Sequence, residues 1–160
     1  MTPTNPPTDQ DACELLDADH IAVKHLFVEY ARLAMLQADA AERTALAMKI
    51  CEELTVHAAI EEEIFYPALE DALPETSDLM EEAREEHQEA KDMIAQIQAM
   101  GEAGPEMDDL VAELNRAIEH HVKEERDEIF PKAKGAGLDL ADLAQQMRER
   151  QQALQTADAA

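Results

Sequence analysis

The sequence predicts an all-α fold: an up-down-up-down antiparallel four-helix bundle with a short additional C-terminal helix. Three observations predict it. The apolar residues are mainly Ala, Leu, Ile and Met, which favour helix, and Trp is absent. Only four Gly interrupt the 160 residues. The Pro and Gly breaks leave four long segments, each with apolar residues at three- and four-residue spacing. Long helices joined by short loops favour antiparallel neighbours.

The elements follow in order. Residues 1–10 are polar and Pro/Thr-rich and read as a disordered N-terminal tail. A first helix is expected over 12–36, with Leu16, Val23, Phe27, Tyr30 and Ala34 on its apolar stripe. Residues 38–41 suit a short connection. A second helix is expected over 42–73, with Pro67 bending or breaking it near its end. Pro74 marks the next turn, and Ser77 is the candidate N-cap of a third helix over 78–100. Gly101, Gly104 and Pro105 form the clearest break. A fourth helix covers 106–134, and Gly135 and Gly137 stop it. A shorter helix over 140–154 follows. The expected organisation is therefore a tail at 1–10, a bundle at 11–135, and a C-terminal helix and tail at 136–160.

Charge narrows the function classes. The net charge is −24 and no basic cluster occurs, which disfavours nucleic acid and anionic membranes as partners. Most of the acids read as a solvated exterior. The N-terminal segment has no apolar core of a secretion signal, and no uncharged apolar run reaches transmembrane length. Cys13 and Cys51 form no Cys-x-x-Cys motif, so free thiols and a cytoplasmic location are expected. Cys51 reads as a small core hydrophobe, and the Met residues read as packing.

Histidine placement carries the chemistry. His57 and Glu61 stand four apart, as do His121 and Glu125, so each pair shares one helix face. Similar tails follow them, Glu-Ile-Phe-Tyr-Pro at 63–67 and Glu-Ile-Phe-Pro at 128–131, suggesting two related halves. Ile50, Leu54, His57 and Glu61 make one stripe; Leu114, Ile118, His121 and Glu125 make another. His87 lies mid-stripe among Met80, Ala83, Ala90, Ile94 and Ile97, and His20 heads the stripe of Val23 and Phe27. Counted from the intervening turns, the four His differ in depth by on the order of one helical turn or less at ~1.5 Å per residue. All four long helices can thus present ligands in one layer.

The candidate set is His20, His57, Glu61, His87, His121 and Glu125. Four imidazoles and two carboxylates suit iron or manganese, and a carboxylate can bridge two ions. Zinc in a closed structural site takes four ligands and does not need this set. His25/Glu29 and His120/Glu124 have the same spacing but fall off the apolar stripes and read as surface pairs. His120 remains an alternative to His121, because five residues also separate it from Glu125. Tyr30 and Tyr66 read as core residues, either of which can reach the layer. Glu53 and Glu86 are candidate acceptors for the outward N–H of the ligating rings.

In order along the chain these residues resemble the hemerythrin-like proteins, or HHE cation-binding domains. The match rests on Asp19-His20 with Leu26-Phe27, HAAIEEEIFYP at 57–67, Glu86-His87, and HHVKEERDEIFP at 120–131, within 15–134. The ordered pattern H…HxxxE…H…HxxxE is more specific than any of its pieces. The resemblance implies a non-haem di-iron centre of two iron ions; manganese is possible on the donor chemistry alone. His20, His57, His87 and His121 would be terminal ligands, and Glu61 and Glu125 bridges. Oxygen-carrying hemerythrins use a fifth His one turn after the third-helix ligand, where this chain has Lys91. Their second bridge is commonly Asp, here Glu125. These departures resemble the bacterial branch linked to oxygen or iron sensing, peroxide turnover and stress defence. Ferritin-like proteins carry Glu-x-x-His, which is absent here. The expected function is binding of dioxygen, peroxide or nitric oxide, in sensing or oxidative-stress defence. The alternative is a di-iron redox enzyme with catalase-like or nitric-oxide-consuming activity.

Overall fold

A computed structural model describes residues 10–159, with side chains described as far as Thr156. The expected tail therefore lies outside the described residues, except Gln10. Helix α1 spans Ala12–Met35 and α2 spans Ala40–Ile60. A π-helical turn, Glu61–Phe65, joins α2 to α3, Tyr66–Ala72. After a 3-10 turn at Pro74–Thr76, α4 runs Ser77–Met100. Helix α5, Pro105–Glu124, continues through a second π-helical turn, Glu125–Ile129, into α6, Phe130–Gly135. Helix α7 is Leu140–Ala159. No strand occurs among the described residues, and no helix among them is long and apolar enough to cross a membrane.

Helix α1 packs on α2 and α5, and α4 packs on the same two, closing a four-membered ring. This is the expected bundle. Helix α1 starts with a capping box: Glu14 N–H donates to Asp11 Oδ1 at 2.9 Å, and Asp11 N–H donates to Glu14 Oε1 at 3.1 Å. Helix α4 stops at Gly101, whose φ of 75° suits a residue without Cβ.

Three expectations change. Pro67 neither breaks nor sharply ends the second helix; the chain widens into a π turn instead. Proline has no N–H and its ring collides with the carbonyl four residues back. The residue before each proline reaches one carbonyl further: Tyr66 N–H donates to Glu61 O, and Phe130 N–H to Glu125 O. Pro131 thus does at the second half what Pro67 does at the first. Ser77 is the first helical residue rather than the N-cap, because the 3-10 turn has already begun the helix. Thr76 takes the cap position without capping, its hydroxyl bonded to Leu73 O at 2.7 Å. The C-terminal helix is longer than 140–154, and Asp139 Oδ1 accepts from Asp142 N–H at 3.0 Å near its start.

The core has two apolar clusters. One gathers Leu16, Ile60, Phe65, Leu69, Met80 and Ile129 with Met147 of α7. The other gathers Val23, Phe27, Ile50, Leu54, Ile94 and Leu114. The candidate histidines fall between them along every stripe. Met35 is 83% exposed and does not share in this packing. Cys13 and Cys51 are free and buried, and burial pushes their thiols up to about 12 and about 11, so both are inert.

Met147 is fully buried and ties α7 to the bundle through the first cluster. Met147→Ala is expected to cost ~2–4 kcal/mol in urea unfolding, from lost transfer energy plus a cavity. An unchanged midpoint would mean that α7 unfolds separately from the bundle.

Candidate metal centre

The four long helices bring His20, His57, Glu61, His87, His121 and Glu125 into one buried layer. Glu61 and Glu125 are fully buried, and each begins a π turn. That widened backbone sits where the inward carboxylates are, as π turns often do at functional sites.

Each ring turns Nε2 inward and Nδ1 outward to a carboxylate. His20 Nδ1 lies 3.3 Å from Asp17 Oδ1, and His57 Nδ1 lies 3.2 Å from Asp19 Oδ2. His87 Nδ1 lies 2.6 Å from Glu62 Oε2, and His121 Nδ1 lies 2.7 Å from Glu86 Oε1. With the outward Nδ1–H donated to a carboxylate, a neutral ring would face its Nε2 lone pair inward, the state that binding a metal ion requires.

The inward atoms crowd. His20 and His57 approach Nε2 to Nε2 at 3.2 Å, and His87 and His121 at 3.1 Å. Glu61 Oε1 stands 3.0 Å from His87 Nε2 and 3.3 Å from His57 Nε2. Glu125 Oε1 stands 2.9 Å from His20 Nε2. Yet Glu61 Oε1, Glu61 Oε2 and Glu125 Oε1 are buried without a hydrogen-bond partner. The nitrogens lie beside these oxygens as ligands lie around a common third atom, not as donors facing acceptors. The atoms form two groups, His20, His57, Glu61 and Glu125, and Glu61, His87 and His121, which share Glu61. Within each group the ligating atoms lie within 4.8 Å of one another. This donor set fits cations.

Without a metal, protons must balance the carboxylates. Burial opposes charge on His57 and His87, but the Glu61 carboxylate and outward partners outweigh it and raise both. His121 is likewise held up, to about 12, against burial, chiefly by Glu125. Burial pushes Glu61 up, but the charge on His57 outweighs it and holds Glu61 well below the carboxylate range.

The open alternatives now resolve. His120 has a side chain 69% exposed, 3.4 Å from Glu86, and is outside the layer; His121 is inside. Tyr66 enters: its hydroxyl donates to Glu125 Oε2 at 2.9 Å and lies 3.2 Å from His121 Nε2. Burial and the Glu125 charge raise its phenol well above the usual value, so it stays protonated. Tyr30 is elsewhere, bonded to Asp108 at 2.7 Å, with Arg43 on the same carboxylate. Glu53 does not reach His57 and faces Lys49 at 3.7 Å; Glu86 serves His121 rather than His87. Sequence reasoning missed Asp17, Asp19 and Glu62 as acceptors. Lys91 bonds Glu62 Oε1 at 3.1 Å and so steadies the partner of His87.

The family model described as Hemerythrin HHE cation binding domain matches residues 11–133. The crystal structure of a hemerythrin HHE cation binding domain-containing protein, the Rv2633c homolog from Mycobacterium kansasii, shares the fold. Its TM-score is 0.75 at 24% identity, covering 92% of this chain and 89% of that one. A DNA nickase from Nostoc sp. strain PCC 7120 is 29% identical over 122 residues, 76% of this chain and 33% of that protein. The chain thus spans a third of that relative's length.

The protonated layer sets a pH dependence. His57, His87 and His121 keep protons in the fold above the ordinary imidazole value of 6.5. Over that range the folded state binds more protons, so stability falls as pH rises. The imidazole contribution is complete below 6.5 and is lost through the folded values, that of His121 about 12. Glu61 acts oppositely, contributing above 4.5 and losing its contribution as pH falls through its lowered value. Chelated protein should therefore melt lower at about pH 9 than at about pH 6.5. A flat or rising melting temperature would contradict the imidazolium layer. Metal affinity should rise over the same interval, because metal displaces these protons.

Proposed function

The chain belongs to the hemerythrin HHE cation-binding domain family, and on that premise we propose that it holds two iron ions and takes up dioxygen or a related small ligand. The physiological setting is oxygen or iron sensing or defence against oxidative stress. The observation that carries the reading is Glu61: fully buried, without a hydrogen bond, and common to both ligand groups. His20, His57 and Glu125 would complete one position, and His87 and His121 the other. Iron supplies reversible redox change and open coordination positions for the ligand. Manganese suits the same donors, whereas zinc needs fewer.

A cavity of about 30 Å³ borders the four rings, walled by Val23, Leu54, Ala90, Ile94, Ile118 and Val122. That volume accepts a water-sized or diatomic molecule and little more. Its apolar wall offers such a ligand no competing hydrogen bond. Lys91 lines it where a fifth imidazole would stand in an oxygen carrier, and its ammonium is engaged by Glu62. One nitrogen ligand fewer leaves more room for exchange, which favours sensing or turnover over carriage.

Nicking of DNA, the activity named for the Nostoc relative, is not part of this reading: a chain with charge −24 repels phosphate backbones. The two buried free thiols agree with a reducing cytoplasm.

Anaerobic iron loading, metal analysis and an optical spectrum test the reading. Two irons per chain are expected, with an absorption band that grows on exposure to dioxygen and disappears on re-reduction. Glu61→Ala should lose at least one iron. A wild-type protein that stays colourless and iron-free would contradict it.

Tyr66 favours a second reading, turnover of peroxide or nitric oxide. Its protonated hydroxyl stands beside Glu125 and both second-group imidazoles, 3.4 Å from His87 Nε2. A proton held there is available to a departing oxygen atom. Tyr66→Phe should retain iron yet lower kcat for hydrogen peroxide by about 10²-fold, the scale of a positioned proton donor. An unchanged kcat would remove Tyr66 from that role, and absence of turnover in the wild type would sink this second reading.

A further inference from the structure

A groove of about 570 Å³ runs between α1 and α5 on the outside of the bundle. It shares His20, Val23, Ile118 and Val122 with the small cavity at the rings. These four side chains are therefore the partition between surface and centre. We propose that this groove is the route by which the small ligand reaches the centre, and that Ile118 and Val122 form the gate it crosses. The route deepens the proposed function and rests on it for the identity of the ligand.

Three further observations support the route. The α7 side is closed by Phe65, Tyr66 and Phe130, all buried, with ring centroids of Phe65 and Phe130 6.0 Å apart. By contrast Ile118 and Val122 are only partly buried and face a groove that already holds space. The amide oxygen of Asn115, in the groove lining, is buried without a hydrogen-bond partner. It is an acceptor placed for a water or a hydrogen peroxide molecule. Finally, cations gather on the rim: Lys24 pairs with Glu119 at 2.8 Å, Lys123 with Asp127 at 2.7 Å, and Arg126 with Asp17 at 2.6 Å. In a chain of charge −24 these pairs make a locally balanced mouth. The ligand class that fits is small and uncharged: dioxygen, nitric oxide or neutral hydrogen peroxide. The Lys24–Glu119 pair ties α1 to α5, and both residues line the groove.

Two measurements test the gate. In the first, nitric oxide is mixed with reduced, iron-loaded full-length protein in a stopped-flow instrument. Ile118→Trp should slow association by about tenfold or more at unchanged iron content, and Ile118→Ala should speed it. Val122→Phe gives the same test if Ile118→Trp fails to fold. Ala112→Trp, on an exposed part of α5 outside this groove, should leave the rate unchanged. Unchanged rates in the loaded gate variants would overturn the route. The second measurement needs no metal: methyl relaxation by dissolved dioxygen in the chelated protein. Val23, 5% exposed, should relax faster than Val56, 3% exposed, and Ile118→Trp should abolish the difference. Equal relaxation of Val23 and Val56 in the wild type would overturn the route. If loaded wild type binds no nitric oxide while Val23 still relaxes faster, the proposed ligand chemistry fails and the route to the layer stands.

Discussion

Two fully buried carboxylates, with three of their four oxygens lacking a hydrogen bond, set the constraint on which the rest of this structure depends. Removing a carboxylate from water costs several kcal/mol unless positive charge compensates it. Among the described residues, no Lys or Arg pairs with Glu61 or Glu125 to do so. Compensation must come from protons on the surrounding imidazoles or from metal cations, and the crowded Nε2 atoms serve either. The fold supports this by giving each ring an outward carboxylate, from the same helix for His20 and from a neighbouring element for His57, His87 and His121. The large acid excess of the chain is in part this ring of acceptors.

Position follows from backbone choices made by two prolines. Pro67 and Pro131 each follow a π turn that begins at an inward Glu. The wider turn keeps the helix running where proline would otherwise interrupt it. The inward Glu, the following Phe and, in the first half, Tyr66 then all reach the interior. The echo between the halves thus has a structural meaning, and its one difference matters. Tyr66 stands before Pro67 with a hydroxyl on Glu125, whereas Phe130 stands before Pro131 and packs against Phe65. Two related halves carry one polar hand between them. Helix α7 closes the same end, with Met147 buried among these aromatic side chains.

Much of this was legible from local periodicity. The helices and the stripe positions of His57, Glu61, His121 and Glu125 follow from a 3.6-residue repeat, whereas the repeat left His120 open beside His121 and only the packing separates them. His20 and His87 needed one further step, the depth of each along its helix. What was not legible depends on geometry between helices. With 37 acids in the chain, every helix offers acceptors, and no spacing says that Asp19 reaches His57 or that Glu62 reaches His87. Glu53 was misread for that reason, since one turn along a helix places a carboxylate beside a backbone, not beside a ring nitrogen. The π turns escaped notice because proline reads as a break, and only tertiary packing decides whether a helix breaks or widens there. Tyr66 and Tyr30 look alike in sequence, and Asp108 with Arg43 captures Tyr30 at the far end of the bundle.

X-ray absorption at the iron edge of the loaded protein tests the central claim most directly, that six side chains hold a pair of ions joined through Glu61. The expected result is a shell of nitrogen and oxygen donors with a second iron within about 4 Å, the separation of paired-metal sites. A shell of nitrogen and oxygen donors with no iron–iron scattering, at full occupancy, would contradict it and reduce the layer to a site for a single ion.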